Sequence, residues 1–184
     1  MPYAVTHILI PILLVAIFRD FILSKEARKK FPLHYVLLAG LGGALPDIDI
    51  PISMILNLLG ITAWDIHRTF THSLSFAAIF FILYLVLKPV KEEARICNIT
   101  RHKIKLNLIF LMLGIGILTH LFLDTLFGEV TYLFYPFSNV GCGINLLFAF
   151  PYEIQDKLLP TLDGILLVIW IVYLELKHKI SDFI

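Results

Sequence analysis

Five apolar stretches, at residues 3–23, 34–50, 73–87, 106–127 and 162–176, alternate along the chain with short polar or basic segments. Each approaches or reaches the length that crosses about 30 Å of hydrocarbon. Isolated strands in lipid would leave backbone groups unpaired, so the stretches read as helices. The pattern therefore predicts an all-α, polytopic membrane bundle of about five transmembrane helices. A further apolar segment, 50–60, is too short to cross and reads as an interfacial or re-entrant helix after Pro51.

The cationic side chains orient that bundle. Of the 15 Lys and Arg residues, all but Arg68 and Lys157 fall in the first and third connections or after the last span. By the positive-inside rule this places the N-terminus outside and the C-terminus in the cytoplasm. The first apolar run has no basic segment before it, which suits a retained helix and not a cleaved signal peptide. Cys97 and Cys142 then lie on opposite sides of the membrane, where they cannot pair. The basic loops have a sufficient topological explanation, so nucleic acid is not expected as a partner.

Composition agrees with the pattern: 59% of residues are hydrophobic and the mean hydropathy is +0.87, beyond what a soluble core needs. With no internal repeat or linker, residues 1–184 read as one integral membrane domain. It carries an aromatic outer loop at about 128–160, suited to an interfacial lid or rim. The basic connection at 88–105 reads as a solvated helical loop.

Against this background, ionisable groups near the hydrocarbon are costly and call for a function. Measured from the inner basic belt at about 1.5 Å per residue, His7, Asp47, His72, His120 and Asp163 all lie roughly 21 to 27 Å away. The five helices thus bring polar groups to one height, the outer interface. His120 and Asp124, at i and i+4, share one helical face. Asp47 and Asp49, at i and i+2, cannot share a regular helix face, but Pro46 and Pro51 around them open the turn. His67 is placed in the outer loop and His72 at the start of the third span, with Thr71 or Ser73 as its cap. Asp163 has an N-cap role open to it after Pro160.

The donors His7, Asp47, Asp49, His67, His72, His120 and Asp124 outnumber the four that one tetrahedral zinc takes, so a centre of two or more divalent ions is expected. Imidazole and carboxylate without thiolate suit zinc first, with manganese or iron as alternatives. Such a centre suits hydrolysis of a phosphoester, with Asp47 or Asp49 orienting or deprotonating water and Arg68 steadying phosphate charge. A headgroup at the outer interface, its tail in lipid, points to a lipid or lipid-linked substrate. A divalent-metal transporter and a non-catalytic, metal-stabilised scaffold are the alternatives.

Taken in order, Thr6-His7, Gly43 to Asp49, His67-Arg68 with Thr71-His72-Ser73, His120 to Asp124, and Tyr135-Pro136-Phe137-Ser138 resemble the YdjM-like family of membrane-bound, metal-dependent hydrolases. That resemblance implies an inner-membrane hydrolase and leaves its substrate open. The chain is also distantly similar to the zinc-dependent phospholipase C and P1 nuclease group. It departs from that group in its short outer region and in lacking a second His-x-x-x-Glu helix.

Overall fold

A computed structural model describes residues 4–60, 69–89, 93–95, 103–128 and 130–179; His67, Arg68 and Cys97 lie outside the described residues. The bundle is built from helices α1 (Ala4–Ile17), α2 (Lys25–Lys29), α3 (Leu33–Ala44), α4 (Asp49–Leu58), α5 (Leu74–Leu87), α6 (Leu106–Phe127) and α7 (Tyr152–His178). A π-helical turn, Phe18–Ile22, extends α1, and a 3-10 turn, Pro46–Ile48, separates α3 from α4.

Three of these are long and apolar enough to cross a membrane: Ala4–Ile22 with 19 residues, Leu106–Phe127 with 22 and Tyr152–His178 with 27. Leu33–Ala44 and Pro46–Leu58, bent by 51° at their break, make a fourth if taken as one broken span. The expectation of about five spans is corrected here by α5, which has only 14 residues. At 1.5 Å per residue it covers about 21 Å, short of the hydrocarbon thickness.

The expected loop at 128–160 is also corrected, because α7 begins at Tyr152 and carries Pro160 inside it. Proline removes one helical hydrogen bond without ending the helix, and Asp156, four residues back, is exposed where water can serve its carbonyl. The basic connection differs as well. Glu93–Arg95 (β1) and Lys103–Lys105 (β2) pair as an antiparallel ladder, Glu93 opposite Lys105, in place of a helix. That turns α6 back into the bundle at Lys105, whose backbone N–H donates to the Tyr35 hydroxyl at 2.7 Å.

In the packing, α3 lies between α1 and α6, α5 covers the other side of α6, and α7 rests on α1. Lipid tails are as apolar as leucine, so close backbone approach and dispersion must hold such helices together. Glycines supply the approach. A Cβ on Gly43 would stand 2.1 Å from the His7 carbonyl oxygen, and one on Gly116 would stand 2.1 Å from that of Ala39. Around these crossings Leu9, Ile12, Val15, Tyr35, Val36 and Met112 are buried. The large apolar residues left exposed, among them Ile165, Val168, Ile169 and Val172 of α7, face outward as a lipid-facing helix surface requires.

After α6 the chain folds back over the end of the bundle. Thr131 and Cys142 exchange backbone hydrogen bonds of 2.9 and 2.8 Å, and the Leu133 carbonyl accepts from the Leu74 N–H at 2.8 Å. The Ser75 hydroxyl donates to the Tyr135 carbonyl at 2.7 Å. The aromatic segment is therefore tied to the first turn of α5, beside the residues described next.

Candidate metal centre

His120 and Asp124 stand one turn apart on α6, both fully buried. The His120 Nδ1–H donates to the Gly43 carbonyl oxygen at 2.7 Å; a carbonyl can only accept, so the tautomer is fixed and the Nε2 lone pair points inward. This Nε2 lies 3.3 Å from Asp124 Oδ2, 3.7 Å from Asp47 Oδ1 and 3.3 Å from His72 Nε2.

His72 arrives from the turn before α5, which Ser73 holds. The Ser73 hydroxyl donates to the Phe70 carbonyl and accepts from the Phe76 N–H, capping the helix. The two acids of the α3–α4 break then address opposite nitrogens of one ring. Asp47 Oδ1 is 3.4 Å from His72 Nε2, and Asp49 Oδ2 is 3.4 Å from His72 Nδ1. The Thr71 hydroxyl donates to Asp49 Oδ2 at 2.7 Å and lies 3.1 Å from His72 Nδ1. Asp49 and Thr71 thus orient His72 from behind, while Asp47 faces the centre.

Two triangles of ligand atoms share the edge between His72 Nε2 and His120 Nε2, one closed by Asp47 Oδ1 and the other by Asp124 Oδ2. The five separations known among them run 3.3, 3.3, 3.4, 3.6 and 3.7 Å. Two ligand atoms that share one zinc at bonds of about 2.0–2.2 Å stand about 3.3–3.6 Å apart, the spacing of these edges. Lone pairs and carboxylate charge converge there, and such a cluster in a buried place calls for a cation. Burial opposes charging of His72, but its contacts with Asp47 and Asp49 outweigh that and push its pKa up to about 9. The residues fit a divalent ion.

His7 enters from α1. Its ring stacks on His120 with centroids 3.8 Å apart, and its Nε2 lies 3.3 Å from the other Asp124 oxygen, Oδ1. Two triads that share His120 result: His7, His120 and Asp124, and Asp47, His72 and His120. His7 Nδ1 and both Asp124 oxygens are enclosed without a hydrogen-bond partner, which also suits a group that an ion completes. Four of these residues are essentially inaccessible; Asp47, whose side chain is 26% exposed, is the open edge.

Of the residues singled out in the sequence, His7, Asp47, Asp49, His72, His120 and Asp124 come together, whereas His67 and Arg68 lie outside the described residues. Asp163 is inside α7 and does not cap it; its carboxylate accepts from the hydroxyl of buried Thr6, next to His7. Three contacts escaped the sequence reading: Thr71, read there as a cap candidate, bonds Asp49; the Gly43 carbonyl holds His120; and Thr6 bonds Asp163. Thr6 and Thr71 each neighbour a candidate histidine in sequence. The run of glycines at 40, 42 and 43 was the available sign of a close crossing.

A polytopic helical membrane protein with a buried histidine–aspartate centre is the class that fold and site define. The chain matches the family model described as YdjM inner membrane protein over residues 1–180, and it belongs to that family. No curated protein and no solved structure matches it significantly.

Proposed function

We propose that the chain is a membrane-embedded, metal-dependent hydrolase acting on a phosphoester of a lipid or lipid-linked substrate, with its site at the outer face of the inner membrane. The observation that carries this reading is the pair of buried triads that share His120, His7 with Asp124 on one side and Asp47 with His72 on the other, with Asp47 as the accessible member. His72, His120 and Asp124 would hold one ion, probed first as zinc, then manganese or iron. His7, beside the second oxygen of Asp124, would contribute to holding a second ion. When bound, divalent ions supply Lewis acidity and make water a nucleophile near neutral pH.

The protein's own groups do the rest. Asp47, at the open edge, takes the proton of the attacking water. Asp49 and Thr71 keep the His72 ring in register, and the Gly43 carbonyl does the same for His120. Arg68 is assigned to the phosphate charge. The loop tied to α5 through Leu133 and Tyr135 serves as cover, with exposed aromatics such as Phe137 and Phe148 at the interface. The segregation of Lys and Arg supports the outward orientation.

One observation favours a second reading, a metal-stabilised scaffold: His7, His72, His120 and Asp124 are all buried, and structural zinc sites are closed in this way. The purified protein, loaded with zinc or manganese and mixed with liposomes carrying phosphorylated lipids, should release a phosphorylated headgroup or phosphate. Asp47→Asn should retain its ion and lose turnover; His72→Ala should lose both. Full turnover by both variants, or none by the loaded wild type, would sink the hydrolase. Loss of heat stability on ion removal without any turnover would favour the scaffold.

A further inference from the structure

A second polar cluster sits at the far end of α1, thirteen residues and roughly 20 Å from His7. Its centre is Asp20, buried in the π-helical turn Phe18–Ile22. Arg19 Nη1 pairs with Asp20 Oδ1, the Tyr173 hydroxyl donates to Oδ2, and His178 Nε2 lies 3.4 Å from Oδ2. Arg28 comes from α2, its Nη2 donating to the Asp20 backbone carbonyl at 2.6 Å.

The cations outnumber the anion. Two guanidiniums meet one carboxylate, and Lys177 adds a further ammonium 4.4 Å above the Phe21 ring. Arg19 is occupied, since its Nε also donates to the Phe31 carbonyl at 2.8 Å. Arg28 is only partly occupied: beyond the Nη2 bond its Nε has no hydrogen-bond acceptor, the nearest carboxylate oxygen of Asp20 is 4.0 Å from it, and the side chain is 38% exposed. The exposed part of this guanidinium can take a phosphate oxygen, which matches both its charge and its planar donor geometry. Beside it the outer faces of Phe18, Phe21 and Ile22 are 44%, 64% and 69% exposed. A ligand that fills the charge and covers this apolar flank is amphiphilic.

We propose that this end of the bundle binds the phosphate of an anionic phospholipid through Arg28, with Lys177 alongside and the acyl chains against Phe18, Phe21 and Ile22. Tyr173 and Arg19 hold Asp20 in place, and Asp20 anchors Arg28 through its backbone carbonyl. The site stands apart from the candidate metal centre and does not depend on hydrolysis.

Native mass spectrometry of the full chain in detergent tests this, with phosphatidylglycerol, phosphatidylcholine and inorganic phosphate as probes and melting temperature followed in parallel. Phosphatidylglycerol should bind about tenfold more tightly than phosphatidylcholine, and Arg28→Gln should remove about tenfold of that affinity, roughly the worth of one charged hydrogen bond. Arg28→Lys should restore part of it. If Arg28→Gln fails to fold, Lys177→Gln, outside the buried network, should still weaken phosphatidylglycerol severalfold. Equal affinity for the two lipids, or variants that bind as the wild type does, would overturn the proposal. Displacement of the lipid by millimolar inorganic phosphate would overturn the lipid as occupant.

Discussion

His120 on α6 and Gly43 on α3 are joined by one hydrogen bond of 2.7 Å, and the glycine that accepts it is also where α1 passes within a Cβ's radius of α3. One residue thus sets both a helix crossing and the tautomer of a candidate ligand.

Gly43→Ala therefore has to push α1 away from α3, since the added Cβ meets the His7 carbonyl oxygen at 2.1 Å. A stability loss of about 1–3 kcal/mol is expected, the usual cost of overpacking. Bound metal should fall as well, because His7 and His120 both shift. Gly40→Ala, whose added Cβ meets the Ile12 side chain at 2.6 Å instead, should cost stability with a smaller loss of metal. Thermal unfolding in detergent and elemental analysis read the two effects separately; unchanged metal in Gly43→Ala would contradict the coupling.

Asp124→Asn and Asp49→Asn separate two roles. Asp124 faces the centre with both oxygens, so its amide should cost every ion held there. Asp49 stands behind His72, where loss of an outer partner typically weakens metal affinity by about 10–100-fold. Metal titrations that rank Asp49→Asn as the more severe variant would reverse this assignment.

Acidification should release the ions. Imidazole and carboxylate bind metal only when deprotonated, so protons compete for the same atoms and affinity falls as pH falls. Dialysis at stepwise lower pH, followed by elemental analysis, should show metal leaving on the acid side and returning on neutralisation. Retention independent of pH would argue against these donors.

Thr6→Val probes the clasp between α1 and α7. It keeps the shape of a fully buried side chain and removes the hydroxyl that donates to Asp163. A loss of about 1.5–3 kcal/mol is expected for a hydrogen bond to a charged group. In a double-mutant cycle with Asp163→Asn the two changes should be far from additive.

Much of this was legible in the chain. The limits of α6 coincide with the apolar run at 106–127, because neither flank offers another way to end the helix. His120 and Asp124 share a face by helical period alone, and the prolines at 46 and 51 did mark the bend that lets Asp47 and Asp49 approach one imidazole. What stayed hidden depends on contacts between distant elements. Pro160 reads locally as a break, yet the α7 helix runs through it. Asp20, near the end of the first apolar stretch, shows no role in the sequence until the π-helical turn aims it at Tyr173 and His178. No spacing rule shows that a glycine carbonyl will orient a histidine seventy-seven residues away.

The shortness of α5 sets how deep the centre sits. His72 immediately precedes the Ser73 cap, and the helix beyond it covers about 21 Å of a roughly 30 Å hydrocarbon layer. A bilayer meets such a mismatch by thinning around the protein, at a modest cost per ångström. Under the proposed function, lipid beside α5 would be drawn inward, and a headgroup travelling with it would approach Asp47 without its tails leaving their own leaflet. Turnover of a lipid substrate would on this ground depend on bilayer thickness, fastest in thin membranes and slowing as acyl chains lengthen.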